Sequence, residues 1–134
     1  MKNKPYLSLD DARRILAAAS AHASGRQWAV SICVCDDGGH VLALERADGA
    51  APFTAEMAVA KSRAAALGRR ESKLFEDMIN QGRTAFITAT LDGLLEGGVP
   101  ISAHGHVVGA IGVSGVKSSE DAEIARAGVA ALTA

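Results

Sequence analysis

Lys61 lies four residues after Met57 on a helical stripe of Met57, Ala60, Ala64 and Leu67. A lysine on an apolar stripe either snorkels to solvent or points into a pocket that holds an anion. In the second case it is an anion clamp, or a base if the site is catalytic. A second set of residues is backbone-like. Val108, Ala110, Gly112 and Ser114 share one face of an extended run and leave it nearly flat. Glycine inside a strand implies that something approaches the backbone closely, either a packed helix or a flat ligand. Gly97-Gly98, before Val99-Pro100-Ile101, is a second place where only small residues let a partner come near. Together with Gly115 these positions outline the wall of a possible pocket. Replacing Gly112 by Val is expected to fill that pocket and leave the fold intact.

The third set is imidazole. His104 and His106 flank Gly105, so their rings could converge on one side of a turn and hold a transition metal. Exposed turn histidines are the competing reading. His22, late in a helix, suits the helix dipole and has no assigned role. Cys33 and Cys35, two apart on a strand, share a face at about 6.6–6.8 Å, the outer limit for a disulfide, and read as two small buried hydrophobes. There is no HExxH, CxxC or nucleophile-elbow pattern.

These residues need elements to position them. Ser8, with Asp11 three later, opens a helix whose apolar residues Ala12, Ile15, Leu16, Ala19 and Ala23 recur at helical spacing, ending near Gly25. Trp28 to Cys35 reads as a strand apolar on both faces, hence central and covered. Asp36-Asp37-Gly38-Gly39 is a hairpin turn, and His40 to Arg46 returns. Thr54 is placed to cap a second helix that runs to Gly68, and Ser72 starts a shorter one that ends near Gly82. Thr84 to Thr90 is compatible with a strand. Val99–Ala103 and Val107–Val113 form a second hairpin about His104-Gly105-His106, and Ser118 with Asp121 caps the last helix. Hairpin-linked strands with helices before, between and after predict an α+β fold with an antiparallel sheet flanked by helices. Residues 1–134 read as a single domain.

Composition narrows the partners. The chain is 49 % apolar and 22 % charged, an ordinary globular balance that permits a core. A net charge of −1 and only 4 % aromatics give nothing to attract or stack a nucleic acid. No apolar run is long enough for a membrane span. Asp10, Asp11, Arg13 and Arg14 interrupt what would be the core of a signal peptide, so the expected location is cytoplasmic. The alanine-rich second helix and the small residues of the last helix leave flat apolar surface, which predicts a homo-oligomer.

Four blocks in order carry a family likeness: Val34-Cys35-Asp36-Asp37-Gly38-Gly39-His40; Arg46-Ala47-Asp48-Gly49-Ala50; Ala60-Lys61-Ser62-Arg63-Ala64-Ala65; and Gly97 to Ile101 leading to Val108–Gly115. Together they resemble the GlcG/HbpS family, which includes the C-terminal domain of PduO-type proteins, over about residues 8–133. The resemblance implies a profilin-like fold, assembly as dimers to octamers, and haem as the leading ligand of a small-cofactor-binding domain. The family's Lys-Ala-x-Thr-Ala helix is altered here, with Ser62 and Ala64 in place of the usual residues. On this reading the flat strand face with Gly112, Ser114 and Gly115 is the slot, Arg46 and Lys61 hold the propionates, and His106, ahead of His104, ligates the iron. The alternatives are a cofactor-independent enzyme acting on a small organic carboxylate through Lys61, and a structural assembly protein.

Overall fold

The computed structural model describes residues 1–133. Helix α1 spans Leu9–Gly25, strands β1 and β2 span Ser31–Asp36 and Val41–Arg46, helices α2 and α3 span Pro52–Gly68 and Lys73–Asn80, strands β3 and β4 span Gly98–Ala103 and His106–Ser114, and helix α4 spans Ser118–Thr133. The four strands form one antiparallel sheet in the order β2-β1-β4-β3. The α+β class expected from the chain is therefore the observed one.

Alternation along β1 decides the layers. Val30, Ile32 and Val34 point to one side and join Ile15 and Ala19 of α1, Ile111 and Val113 of β4, and Ile124 and Ala125 of α4 in the main core. Cys35 points to the other side and meets Ala65, Ala66 and Ala110. On that same side the Ser31 hydroxyl bonds Thr54 (2.8 Å) and Ser62 donates to Cys33 Sγ (3.4 Å), so α2 lies against it. The sheet is thus sandwiched between α1 and α4 on one face and α2 on the other. Both cysteines are free and buried, and burial pushes the Cys33 thiol up to about 11.

Several local expectations change. Helix α2 begins at Pro52 behind Ala51. Thr54 lies inside the first turn, where its hydroxyl donates to Ala51 O (2.6 Å) rather than capping. Residues Thr84–Thr88 form a 3₁₀ helix, not a strand, and Phe86 stacks on Phe75 (5.4 Å). Ser8 does cap α1, its hydroxyl accepting from Asp11 N–H at 3.1 Å. At α4 the expected pairing shifts by one residue. Glu120 accepts from Lys117 N–H (3.3 Å), which frees Asp121 for another role.

The flat strand face has its explanation here. A Cβ on Gly112 would lie 2.1 Å from Ala58 O and 2.4 Å from Ser62 N, and one on Gly98 would lie 2.2 Å from Lys61 O. The close neighbour is helix α2, so the volume assigned to a flat ligand is filled by the protein's own backbone. The buried stripe of α2 is accordingly its smallest one, Thr54, Ala58, Ser62 and Ala65, with Lys61 beside it, while Leu67 turns outward. Val108 leaves the face altogether. A bulge opposite Ile101/Ser102 turns it toward the α1–α4 core.

Candidate functional site

Lys61 is 4 % exposed, and its ammonium reaches past the end of β4 to the opposite helix layer. Nζ donates to Val113 O (3.0 Å) and to Asp121 Oδ2 (3.1 Å); the other carboxylate oxygen accepts from Val116 N–H (3.1 Å). Burial raises the Asp121 carboxyl above its usual range, with Lys61 and the Val116 N–H drawing it back. The anion that Lys61 holds is thus a side chain of its own chain, and Lys61 lines none of four surface clefts of 270 to 380 Å³. Gly97 is required because its φ is 134° and a Cβ there would be 2.7 Å from the backbone oxygen of Val113. Gly115 is required because a Cβ would be 2.8 Å from Ala29 O.

The composite slot expected from the sequence does not assemble within one chain. Arg46 pairs across the sheet with Ser31, and Ser31 with Ser114, so Arg46, Ser114 and the Lys61 ammonium near Val113 stand at one end of the sheet. His106 opens β4 at the other end, roughly 27 Å away along an extended strand of this length. No single-chain slot includes both sets. Arg46 is exposed at the end of an edge strand.

At the hairpin end the two histidines part. His104 and Gly105 both have positive φ (51° and 79°), which makes the two-residue turn that joins β3 to β4. Histidine tolerates this left-handed conformation better than most side chains do. His104 then lines a cleft of about 270 Å³ with Pro5, Tyr6, Leu7, Val108 and Leu132, whereas His106 does not line it. The N-terminal segment is anchored beside this cleft by Leu7, buried in the core, and by the Lys4–Asp37 ion pair. Tyr6, between these anchors, is 84 % exposed. Asp11 is also in the wall and is bonded to Arg14 (2.6 Å). Of the four clefts, this is the one lined by imidazole and phenol, two groups that ligate iron.

Neither the place of Tyr6 in the cleft nor the pairing of Asp121 with Lys61 was legible in the sequence. Tyr6 is the single tyrosine, just ahead of a capped helix, and that position was its only signal. Asp121 was legible as an acid near a helix start but was given to the wrong partner.

Comparison with known proteins adds a family to this geometry. Residues 7–130 match the model described as haem degrading protein HbpS-like. The chain is 54 % identical over 114 residues to Protein GlcG of Escherichia coli K12, covering 85 % of each. It superposes on a double mutant of HbpS from Streptomyces reticuli with a TM-score of 0.87 at 30 % identity, covering 97 % of this chain and 89 % of that one. PduOC, solved as a haem complex, gives 0.86 at 24 % identity, covering 95 % of each chain, a likeness of fold.

Proposed function

The chain belongs to the HbpS-like family of haem-degrading proteins, and from that premise we propose that it is a haem-binding domain with His104 as the iron ligand. The observation that carries this reading is the cleft in which His104 stands with Tyr6 among the apolar Pro5, Leu7, Val108 and Leu132. Haem needs an apolar slot, an iron ligand and cations for its propionates. The cleft supports the first two needs directly. For the third, Lys4 precedes Pro5 and Arg14 is bonded to Asp11 in the wall; both are exposed surface cations, paired with Asp37 and Asp11, that would exchange these partners for a propionate.

At about 270 Å³ the cleft is slightly smaller than ordinary small-molecule pockets. It takes one edge of a macrocycle and leaves the rest at the surface, where a second copy of the chain can close over it. Bound haem would supply the redox chemistry of its iron. The protein's part is to present the His104 imidazole from a rigid two-residue turn and to exclude water along the Leu7–Val108 wall. The alternative, an enzyme acting on a small carboxylate through Lys61, has nothing in the geometry to favour it, since the ammonium is committed to Asp121 and Val113.

Titration with ferric haem, followed in the Soret region, tests the reading. The wild type is expected to give a saturable shifted band, His104→Ala to lose or move it, and His106→Ala to keep it. No shifted band in the wild type rejects haem. Identical bands and affinities in all three proteins reject His104 as the ligand.

A further inference from the structure

We infer that the groove between the last turns of α1 and the open end of the β1–β2 hairpin binds a small organic cation, an ammonium carried on a compact apolar body. The groove encloses about 320 Å³, within the range of small-molecule sites. Its floor is core material, Ala23, Val30 and Ile32, which gives it an apolar base. Trp28 lines it, as do Glu45 and Asp48.

The two carboxylates of this groove have no ion-pair partner of their own among the described residues, and the neighbouring cation, Arg26, lies over the Trp28 ring. No basic side chain lines it. Among the described residues neither Glu45 nor Asp48 makes an ion pair; on the neighbouring α1 turn the His22 imidazole and the Arg26 guanidinium both lie against Glu123, at 2.7 and 3.5 Å. One oxygen of Glu45 accepts from the Ser20 hydroxyl (2.6 Å), which fixes the carboxylate and leaves its second oxygen for a ligand. The indole supplies an independent preference for a cation, because the face of tryptophan is the best of the aromatic faces for one. Arg26 already uses that property, with its guanidinium 5.4 Å from the ring centroid, and Arg26 is not part of the groove lining.

These features select the ligand class. An anion is repelled by two carboxylates. A neutral ligand leaves them unanswered. A bare metal ion lacks donors, since no group of three or more His, Cys, Asp or Glu side chains stands together among the described residues. An ammonium on an apolar body meets all three walls at once: carboxylate, indole and aliphatic floor. The groove is separate from the His104 cleft and does not depend on haem.

Trp28 is the only tryptophan, so intrinsic fluorescence reads the groove directly. The probes are tetramethylammonium chloride and n-butylammonium chloride, with sodium chloride and sodium butyrate at matched ionic strength as controls. The expected result is a saturable change with the two ammonium salts alone. Glu45→Gln, which keeps an acceptor for Ser20, and Asp48→Asn should each weaken it about tenfold, while His104→Ala leaves it unchanged. A response equal to that of sodium chloride, or equal affinity in wild type and both carboxylate variants, overturns the inference. Should a variant fail to fold, the wild-type titration against the sodium controls decides alone.

Discussion

Lys61 and Asp121 are side chains 5 % and 3 % exposed, joined at 3.1 Å, that tie α2 on one face of the sheet to α4 on the other. Such a pair contributes little net energy when intact, because desolvation offsets attraction, but breaking it leaves one charge buried alone. Lys61→Met should therefore cost about 3–5 kcal/mol, read by urea denaturation. The cost depends on pH. Burial already holds Asp121 above its usual range and Lys61 opposes that, so without Lys61 the carboxyl rises further. A carboxyl raised above its unfolded value adds stability when protonated and loses that contribution as pH climbs through the folded value. The deficit of Lys61→Met relative to wild type should thus be larger at about pH 8 than at about pH 5. An equal deficit at both would mean that the carboxylate finds another partner or reaches water.

At the scale of elements, the helix-on-strand contact between α2 and β4 is set by absent side chains. The Gly112 face is approached so closely that a Cβ would sit 2.1 Å from a backbone carbonyl, which cannot swing aside as a side chain can. Gly112→Val is therefore a folding lesion, not the selective loss of binding that the flat strand face suggested. Even Gly112→Ala should cost about 3 kcal/mol or more, at the upper end of overpacking. Gly25→Ala, where a Cβ meets nothing within 4 Å, should stay within about 0.5 kcal/mol of wild type. Chemical denaturation of the two variants checks both values, and a Gly112→Ala protein as stable as Gly25→Ala would show that α2 can lift from the sheet.

For the whole molecule, some of the apolar residues that the core does not use lie on the edge strand β2 and on helix α2. Val41 and Leu44 on the edge strand β2 are 48 % and 46 % exposed, and Phe53 and Leu67 project from α2. Among the described residues no strand lies beside the outer backbone groups of β2. We expect this edge to be covered by a second copy of the chain, giving at least a dimer by sedimentation at micromolar concentration. Leu44→Lys should shift the population to monomer, since a charge on an edge strand opposes pairing. A wild type that sediments as a monomer refutes this. No helix among the described residues is long and apolar enough to cross a membrane.

The order of the elements and the antiparallel α+β class were legible in the chain, because caps, hairpin turns and apolar periods act over a few residues. The two faces of β1 were legible for the same reason: period-two alternation assigned Val30, Ile32 and Val34 to one side and Cys33 and Cys35 to the other. Proximity between distant segments was not. Lys61 and Asp121 are sixty positions apart, and the short-range capping pattern offered Asp121 a nearer but unused role. Whether Gly112 faced a ligand or a helix turned on which element packed against it. The bulge that turns Val108 toward the core interrupts the alternation from which its face was read. His104 and His106 look equivalent as neighbours of one glycine, yet a two-residue turn makes one a loop residue and the other a strand residue, and only the first lines the cleft with Tyr6. Local rules fix conformation, whereas a site is made by segments that meet only when the sheet and its two helical layers close around the core.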